Sequence, residues 1–215
     1  MAVLNVNPTR MELTRLKKQL STALRGHKLL KDKRDELMRQ FLDEIRETKT
    51  LREEVERELK SINADFVLAS SVMSKEALDT ALLAPKQEVY LDTDTRNVMS
   101  VDIPVYSFKT RTSEDSDIFS YGFASTSFEL DDAVAGLSAL LPKMLKLAEK
   151  EKAVKLMADE IEKTRRRVNA LEYIMIPRYE AAIKRIVMKL DENERSNTTR
   201  LMKVKDMMLE REILK

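Results

Sequence analysis

The sequence contains no cysteine and no tryptophan, one histidine, and only three glycines among its 215 residues. Without cysteine, disulfide bonds and thiolate metal sites such as zinc fingers are excluded. Aromatic residues make up 5% of the chain and charged residues 35%, and this combination with so few glycines is typical of long helices rather than of sheets joined by turns. The hydrophobic content of 43% is still sufficient to form a core.

Residue types that build catalytic sites are scarce. His27 is the only histidine, and neither a glycine-rich phosphate loop nor a metal motif of the HExxH kind is present. Neighbouring carboxylates such as Asp35 and Glu36 lie among lysines and arginines on helical segments, where we expect them on solvated faces. The sequence therefore predicts no catalytic, cofactor-binding or metal-binding residue, and a protein that is not itself an enzyme.

Long apolar runs are also missing. Residues 1–10 lack the apolar stretch of a signal peptide, and no run approaches the ~18 apolar residues needed to span a bilayer. We therefore expect a soluble protein that does not insert into a membrane.

The net charge of +2 hides an uneven distribution. Residues 1–72 carry 15 basic and 12 acidic groups, residues 73–131 carry 5 and 11, and residues 132–215 carry 19 and 14. The basic excess is concentrated at the two chain ends, so any long-range electrostatic function is expected there.

Between Thr9 and Val72, apolar residues recur at alternating steps of three and four, with no proline and a single glycine. This spacing predicts a long coiled-coil helix with a slip near Glu44, and Asn7 or Thr9 is expected to cap its start. The predicted seam consists of Leu13, Leu16, Leu20, Ala23, His27, Leu30, Leu37, Phe41, Leu51, Val55, Leu59, Ile62 and Phe66.

A second helical arm is predicted from Asp131 or Asp132, both good N-cap residues, to the C-terminus. Pro142 is expected to separate a short helix from the long one, whereas Pro177 should bend the helix without ending it. Its predicted seam consists of Leu140, Met144, Leu147, Val154, Met157, Ile161, Val168, Leu171, Met175, Ala182, Ile186, Leu190, Leu201, Val204 and Met208.

The middle of the chain has a different pattern. Glu88–Asp92 and Val98–Phe108 are rich in valine, isoleucine and tyrosine and predict two strands. The cluster Asp92–Thr95 predicts the turn between them, and Tyr121–Phe123 could add a third short strand.

Two helices with apolar stripes can bury them against each other only if the chain folds back on itself. The predicted fold is therefore mainly α, a long antiparallel two-helix coiled coil with a small β-hairpin region at the connecting end. Its expected parts are a long helix in 1–72, a connector in 73–131 and a second long helix in 132–215.

The register of the two helices can also be predicted. The number of a residue on one helix and that of the residue facing it on the other should sum to about 204. Such a pair of helices is marginal alone and should be steadied by partners along its length.

Two polar motifs have more than one interpretation. Gly26 and His27 indicate either close approach of a partner or of the second helix, or a tolerated glycine beside a seam histidine, and the second is favoured. Arg165, Arg166 and Arg167 form either an anion or nucleic-acid patch or a solvated helix face. The acidic connector and the scarcity of aromatics argue against nucleic acid.

Two stretches resemble one known family. The stretch NPTRMEL from Asn7 to Leu13, followed by GHKLLKDKRDEL from Gly26 to Leu37, is similar to the N-terminal signature of the D subunit of the V/A-type rotary ATPases. The stretch RRRVNALE from Arg165 to Glu172, which continues to Ile176-Pro177, resembles the C-terminal helix of the same family.

This resemblance implies a central-stalk rotor that transmits torque and is not catalytic. It would join a ring of A and B subunits, where ATP is hydrolysed, to a membrane rotor that moves protons or sodium ions. The F subunit and a funnel-shaped adaptor to the membrane rotor are the other implied partners, and the location is cytoplasmic, peripheral on the membrane through the complex. The residues expected to contact the ring at the shaft tip are Arg10, Leu13, Arg15, Lys17, Lys18, Lys203 and Met207. A second contact region on the coiled coil is expected at Gly26, His27, Arg165, Arg166, Arg167 and Asn169.

Two other functions remain open from the sequence. A coiled-coil tether or a homodimeric scaffold could use the same seams without any rotation, and a monomeric mass with contact between the arms of one chain would disfavour the dimer. A nucleic-acid binder ranks third.

Overall fold

A computed structural model describes residues 7–111, 118–122 and 126–213. These residues form a mainly helical chain with one small antiparallel hairpin, which confirms the predicted fold class. None of the helices in these ranges is long and apolar enough to cross a bilayer. In chain order the elements are α1 (Arg10–Val72), α2 (Lys75–Leu82), β1 (Val89–Val98), β2 (Val101–Thr110), α3 (Phe128–Ala170), a π-helical turn (Leu171–Met175) and α4 (Ile176–Ile213).

The helix α1 runs without interruption for 63 residues. Its start is capped as predicted by Thr9, whose Oγ1 accepts a hydrogen bond of 3.2 Å from the backbone N–H of Glu12. The predicted seam is confirmed at its most buried positions, which are Leu16, Leu37, Val55 and Ile62.

The start of the second arm differs from the prediction. Helix α3 begins at Phe128, so Asp131 lies in its first turn instead of capping it. Its carboxylate accepts a 2.8 Å hydrogen bond from the hydroxyl of Tyr121. The carboxylate therefore anchors the chain segment that precedes the helix.

The expectation that Pro142 separates two helices is wrong, because α3 is continuous from Phe128 to Ala170. Leu140, two residues before the proline, is 1% exposed and packs with Val55 and Ile62 of α1. Leu147, one turn after it, joins the same cluster. Packing on both sides of the proline therefore keeps the helix in line despite the missing N–H.

The effect of Pro177 is visible in the turn that precedes it. Residues Leu171–Met175 are wound as a π-helix, and the N–H of Ile176 bonds to the carbonyl of Leu171, five residues earlier. Proline cannot donate to the carbonyl four residues before it, and its ring crowds that carbonyl. A widened turn accommodates both effects, and the helix continues, as predicted, into α4.

The hairpin has longer strands and another turn than predicted. Val98 pairs with Val101, so the turn is Met99-Ser100, and Asp92–Thr95 lies inside β1. Both turn residues have positive φ, 51° and 70°, and Met99 packs against the core cluster that contains Leu37 and Met157. This contact favours a turn at Met99-Ser100, although the aspartates at 92 and 94 locally favour a turn at Asp92–Thr95. Only two strands pair among the described residues, and Phe123 of the suggested third strand lies outside them.

The short helix α2 was not predicted. Ser74 caps it by accepting a 3.3 Å hydrogen bond from the N–H of Ala77. Ala81 near its end packs with Ala69 and Leu130, so it closes the core between the end of α1 and the start of α3.

The chain divides into two compact units, one formed by residues 1–35 and 162–215 and the other by residues 36–161. In the first unit, α1 and α4 run antiparallel and pack through Leu16, Ala182 and Ile186. The second unit contains three clusters between α1, α3, α2 and the hairpin. The expected register is found in the first unit, whereas part of the second unit is shifted from it.

Ion pairs between the arms show the register that the apolar clusters set. In the first unit Arg10 pairs with Glu194, so the residue numbers sum to the expected 204. In the second unit Lys143 pairs with Glu58, and the sum is 201. These two contacts lie within two turns of the predicted pairing, but Lys150 with Glu44, and Leu37 with Met157, sum to 194 and fall outside it.

Candidate functional site

The chain ends that the sequence marks as a contact surface lie in the first unit. Arg10 and Glu194 form an exposed ion pair between α1 and α4. Arg15 lies 3.6 Å from Glu12 of its own helix, while Lys17 and Lys18 are exposed and form no ion pair within the described part of the chain. Leu13 is half-buried against the Leu16 cluster, so it supports the helix pair more than it offers a free surface.

The end of α4 differs most from the predicted seam. Leu201, Val204 and Met208 were expected to be buried, but they are 70%, 43% and 64% exposed. The reason is the start of α1: Arg10, its first residue, already pairs with Glu194, so the described part of α1 offers nothing to the residues that follow in α4.

This final stretch is rich in both apolar and basic side chains. Lys203 and Met207, predicted as contact residues, are exposed on it. Leu201, Met202, Val204, Met207, Met208 and Leu209 are all at least 43% exposed. Exposed apolar residues at this density mark an interaction surface. The basic residues Arg195, Arg200, Lys203 and Lys205 are exposed too, while the side chain of Arg211 and all of Lys215 lie outside the described residues. Sequence reasoning extended the seam to Met208 from spacing alone. The predicted start of α1 near Thr9 and the predicted register together already leave the end of α4 without a partner helix.

Gly26 had two interpretations: close approach of a partner or of the second helix, or a tolerated glycine. The structure tests the approach of the second helix. A Cβ built on Gly26 would have no atom within 4 Å, so no close approach of the second helix requires the glycine. The neighbouring His27 is partly buried, and its Nε2 lies 3.4 Å from Oε2 of Glu172 in the π-helical turn. Whether the nitrogen donates depends on the tautomer or on protonation.

The three arginines occupy the outer faces of α3. Arg165, Arg166, Arg167 and Asn169 are exposed, and they flank Thr164 and Val168, which are 0% and 1% exposed. Arg166 pairs with Glu162 of the same helix. Arg165 and Arg167 form no ion pair with any described residue, so their guanidinium groups are free for an anionic partner.

The π-helical turn adds two apolar residues to this region that sequence reasoning did not select. Tyr173 is 64% exposed and Ile174 is 59% exposed, one turn beyond the arginines. Pro177 is the sequence signal that could have located this irregular turn. Glu172 of the same turn contacts the partly buried His27 on α1.

A charged cluster in the second unit links α1 to α3. The ammonium of Lys150 lies 2.6 Å from Glu47 and 3.0 Å from Glu44. Burial lowers the pKa of Lys150, but hydrogen bonds to Glu47 and Glu44 outweigh it, so the net pKa is raised. The hydrogen bond from Lys150 in turn holds the pKa of Glu47 below its usual value.

These groups do not assemble into a metal site. No cluster of three or more potential metal-ligating His, Cys, Asp or Glu residues occurs within residues 7–111, 118–122 and 126–213. The charged cluster around Lys150 is a structural contact between helices.

Comparison with known proteins gives the family. The family model for the D subunit of ATP synthase matches residues 12–206. The chain belongs to the ATP synthase D subunit family. It is 64% identical over 210 residues to the V-type ATP synthase D subunit of Acetivibrio thermocellus, covering 98% of this chain and 95% of that one. It is 61% identical over 211 residues to the V-type ATP synthase D subunit of Clostridioides difficile, with coverage of 98% and 95%. The relative from Clostridium botulinum is 60% identical over 210 residues, with coverage of 97% of each chain.

Family membership identifies the chain as a subunit of a V-type ATP synthase, as its sequence signatures indicated. Those signatures, residues 7–13, 26–37 and 165–177, lie largely in the first unit, which also holds the candidate contact residues. The family match extends through the hairpin and α2 as well.

Proposed function

We propose that this chain is the central-stalk rotor subunit of a V-type ATPase. It transmits torque between a catalytic ring of A and B subunits and a membrane rotor that translocates ions, and it is not catalytic itself. The observation that carries this proposal is the antiparallel helix pair within a member of the ATP synthase D subunit family.

Continuity of the helices supports a mechanical role. Torque passes along a helix through its backbone hydrogen bonds, and a break would make a swivel. Helix α1 is unbroken for 63 residues, and the only irregularity between α3 and α4 is one widened turn that remains hydrogen-bonded. The apolar clusters and the ion pairs Arg10–Glu194 and Lys143–Glu58 hold the paired helices in register.

The sequence supports placing ATP hydrolysis elsewhere in the complex. It has a single histidine and no glycine-rich phosphate loop. We expect ATP to be bound and hydrolysed by the A and B subunits.

The exposed end of α4 is suited to contact with the ring. A shaft that turns past similar catalytic interfaces cannot be held in one of them by a deep specific pocket. Methionine side chains adapt to differently shaped apolar surfaces, and each exposed basic residue contributes only ~0 to 1 kcal/mol. Many weak contacts from Met207, Lys203 and their neighbours therefore permit insertion without locking. Arg10, Arg15, Lys17 and Lys18 extend this surface along α1.

The remaining contacts are proposed along the same helices. Gly26, His27, Arg165, Arg166, Arg167 and Asn169 form the second contact region, where exposed guanidinium groups would meet acidic residues of the ring. The F subunit and the funnel-shaped adaptor are the other proposed partners. Through them the chain would be held at the cytoplasmic face of the membrane without inserting into it.

A reversible lock tests the proposal. Because the chain has no cysteine, Met207→Cys gives a single thiol that can form a disulfide with a cysteine introduced into the facing ring loop. We expect oxidation to stop steady-state ATP hydrolysis and reduction to restore it, since turnover requires the shaft to rotate. Undiminished hydrolysis in fully cross-linked complexes would refute the rotor role. A ring variant without its cysteine controls for oxidation.

The exposed apolar end of α4 also favours a second candidate, a homodimeric scaffold or tether that associates through this surface. Sedimentation equilibrium of the isolated chain distinguishes the two functions. The rotor predicts a monomer at micromolar concentration, and the scaffold predicts a dimer that Met207→Lys disrupts.

A further inference from the structure

The β-hairpin has two edges with different chemistry, and the strand register shows which backbone groups each edge presents. The N–H of Arg111 bonds to the carbonyl of Glu88, and every second pair from there to Val98–Val101 is hydrogen-bonded across the hairpin. The alternate residues point their N–H and C=O groups away from the partner strand. On β1 these outward residues include Leu91, Thr93 and Thr95.

The outer edge of β2 is closed. Its outward positions include Pro104, which has no N–H to offer, and Tyr106, whose N–H donates a 3.1 Å hydrogen bond to Oε2 of Glu149 on α3. Proline and a covering side chain are two of the means by which proteins prevent a sheet edge from pairing with another chain. A third strand is therefore excluded on this side.

The outer edge of β1 is open. Leu91, Thr93 and Thr95 are exposed, and their outward N–H groups have no partner among the described residues. All ten residues of β1 can donate a backbone hydrogen bond because none of them is proline. An edge of this length with free backbone donors is a template for strand addition when the added segment matches the charged side chains of β1.

The side chains beside this edge specify what would bind. One face of the hairpin carries Val89 and Leu91 next to Phe108, which are 38%, 45% and 40% exposed. Val89 and Phe108 also line part of an open cavity of about 600 Å³. The other face carries Asp92 and Asp94, which are exposed and form no ion pair within residues 7–111, 118–122 and 126–213. Successive side chains of an added strand would alternate between these faces. The complementary segment therefore alternates apolar and basic residues.

A second copy of this chain fits the edge less well than a segment that sets a basic residue opposite each aspartate. The two antiparallel registers that pair nine residues of β1 with itself set aspartates opposite aspartates: Asp92 opposite Asp94 when centred on Thr93, and Asp94 opposite Asp94 when centred on that residue. The second of these, and a shorter register centred on Thr95, also set an aspartate opposite Arg96. Like charges directly opposite each other in a sheet are destabilising. The charge pattern thus disfavours self-association and favours a basic partner.

We propose that the outer edge of β1 accepts, as a third strand, an extended segment of another subunit of the complex in which apolar and basic residues alternate. This inference rests on the subunit role given by family membership and does not depend on rotation. Backbone hydrogen bonds to Leu91, Thr93 and Thr95 supply affinity, and the aspartates with the apolar patch select the segment.

Residue-resolved hydrogen exchange tests the proposal, with the isolated chain compared to the assembled complex in the absence of nucleotide. We expect the amides of Leu91, Thr93 and Thr95 to exchange at least about tenfold more slowly in the complex, as amides in a strand ladder do. Asp94 and Arg96, already bonded across the hairpin, are protected in both states. Equal exchange of the three outward amides in both samples would overturn the proposal.

A matched pair of variants distinguishes backbone pairing with an added strand from a partner that only shields the edge of β1 from solvent. Thr93→Pro removes one outward N–H without touching the β1–β2 ladder, whereas Thr93→Ala removes the side chain and keeps the donor. We expect the protection of the Leu91 and Thr95 amides to fall about tenfold in the proline variant only. The proline removes one hydrogen bond to the added strand, and its ring blocks the position of that bond. If the amides of Leu91 and Thr95 were equally protected in Thr93→Pro and Thr93→Ala, the partner would shield the edge without pairing with it. That result would overturn the proposal.

If the proline disturbed the hairpin itself, the amides of Asp94 and Arg96 would lose protection. A second variant keeps the proposal testable in that case. Asp92→Asn with Asp94→Asn preserves the edge but removes both charges. We expect about two- to fivefold weaker protection of the outward amides at low salt, and no further loss as salt rises. Protection unaffected by this double change would contradict a basic partner segment.

Discussion

Gly26 and Gly136 show how differently two helical glycines can be constrained. A Cβ on Gly136 would lie 2.9 Å from Cγ1 of Ile62, whereas a Cβ on Gly26 meets no atom within 4 Å. The glycine at 136 is required by the close packing of α3 on α1, and the glycine at 26 is not. Both looked equally isolated in the sequence, because glycine spacing contains no information about the opposite helix.

Substituting alanine at the two positions should therefore have opposite effects. Gly26→Ala should raise the free energy of unfolding by about 0.5 to 1 kcal/mol, the difference in helix propensity. Gly136→Ala should lower it by about 1 to 2 kcal/mol, since overpacking against Ile62 exceeds that gain. Urea unfolding of both variants measures the difference. Equal stabilisation by both alanines would contradict the close contact at Gly136.

The Lys150–Glu47 contact should make stability depend on pH at both ends of the range. The pKa of Glu47 is lowered, so its contribution is present above the usual value of 4.5 and is lost as pH falls through the folded pKa. The pKa of Lys150 is raised, so its contribution is present below 10.5 and is lost as pH rises above it. The melting temperature of Lys150→Met should thus lie below that of wild type at neutral pH and approach it in acid. A constant difference down to pH ~2 would show that the lysine acts through packing alone.

At the scale of elements, hydrophobic periodicity was sufficient to predict α1 and most of the seam, because a period of three and four over many turns has one structural interpretation. The prediction from periodicity failed where contacts between elements determine the local structure. Pro142 does not end a helix that is packed on both sides, and the hairpin turn lies at Met99-Ser100, where Met99 reaches a core formed by Leu37 and Met157. The predicted contact residues at the chain ends remain predictions. The exposed end of α4 follows from the predicted helix start and register, although the apolar spacing alone does not show it.

The turn itself offers a prediction, since Met99 and Ser100 both adopt positive φ without being glycine. Ser100 is exposed, so Ser100→Gly should remove strain of about 1 kcal/mol and slow amide exchange in β1 and β2. Met99→Gly relieves the same strain but loses the packing on Leu37, and should accelerate exchange instead. If both variants slowed exchange equally, the Met99 contact would not be what positions the turn.

At the scale of the whole molecule, the proposed shaft surface is made of many weak contacts. Single changes such as Lys17→Gln or Lys203→Gln should leave ring binding within about fivefold, because exposed charges contribute ~0 to 1 kcal/mol each. The combination of Lys17, Lys18, Lys203 and Lys205 changed to glutamine should weaken binding clearly, and wild-type binding should fall as salt rises. Binding assays over a range of salt concentrations measure both effects. Association that ignores ionic strength would assign the surface to the apolar residues of α4 alone.

The central claim is that the chain rotates against the catalytic ring, and observation of single molecules tests it most directly. Leu83 is 81% exposed, so Leu83→Cys provides a unique thiol for a bead while the ring is fixed to a surface. We expect the bead to turn continuously in one direction when ATP is added and to stop when ATP is removed. A bead that remains still on a complex hydrolysing ATP at its full rate would contradict it.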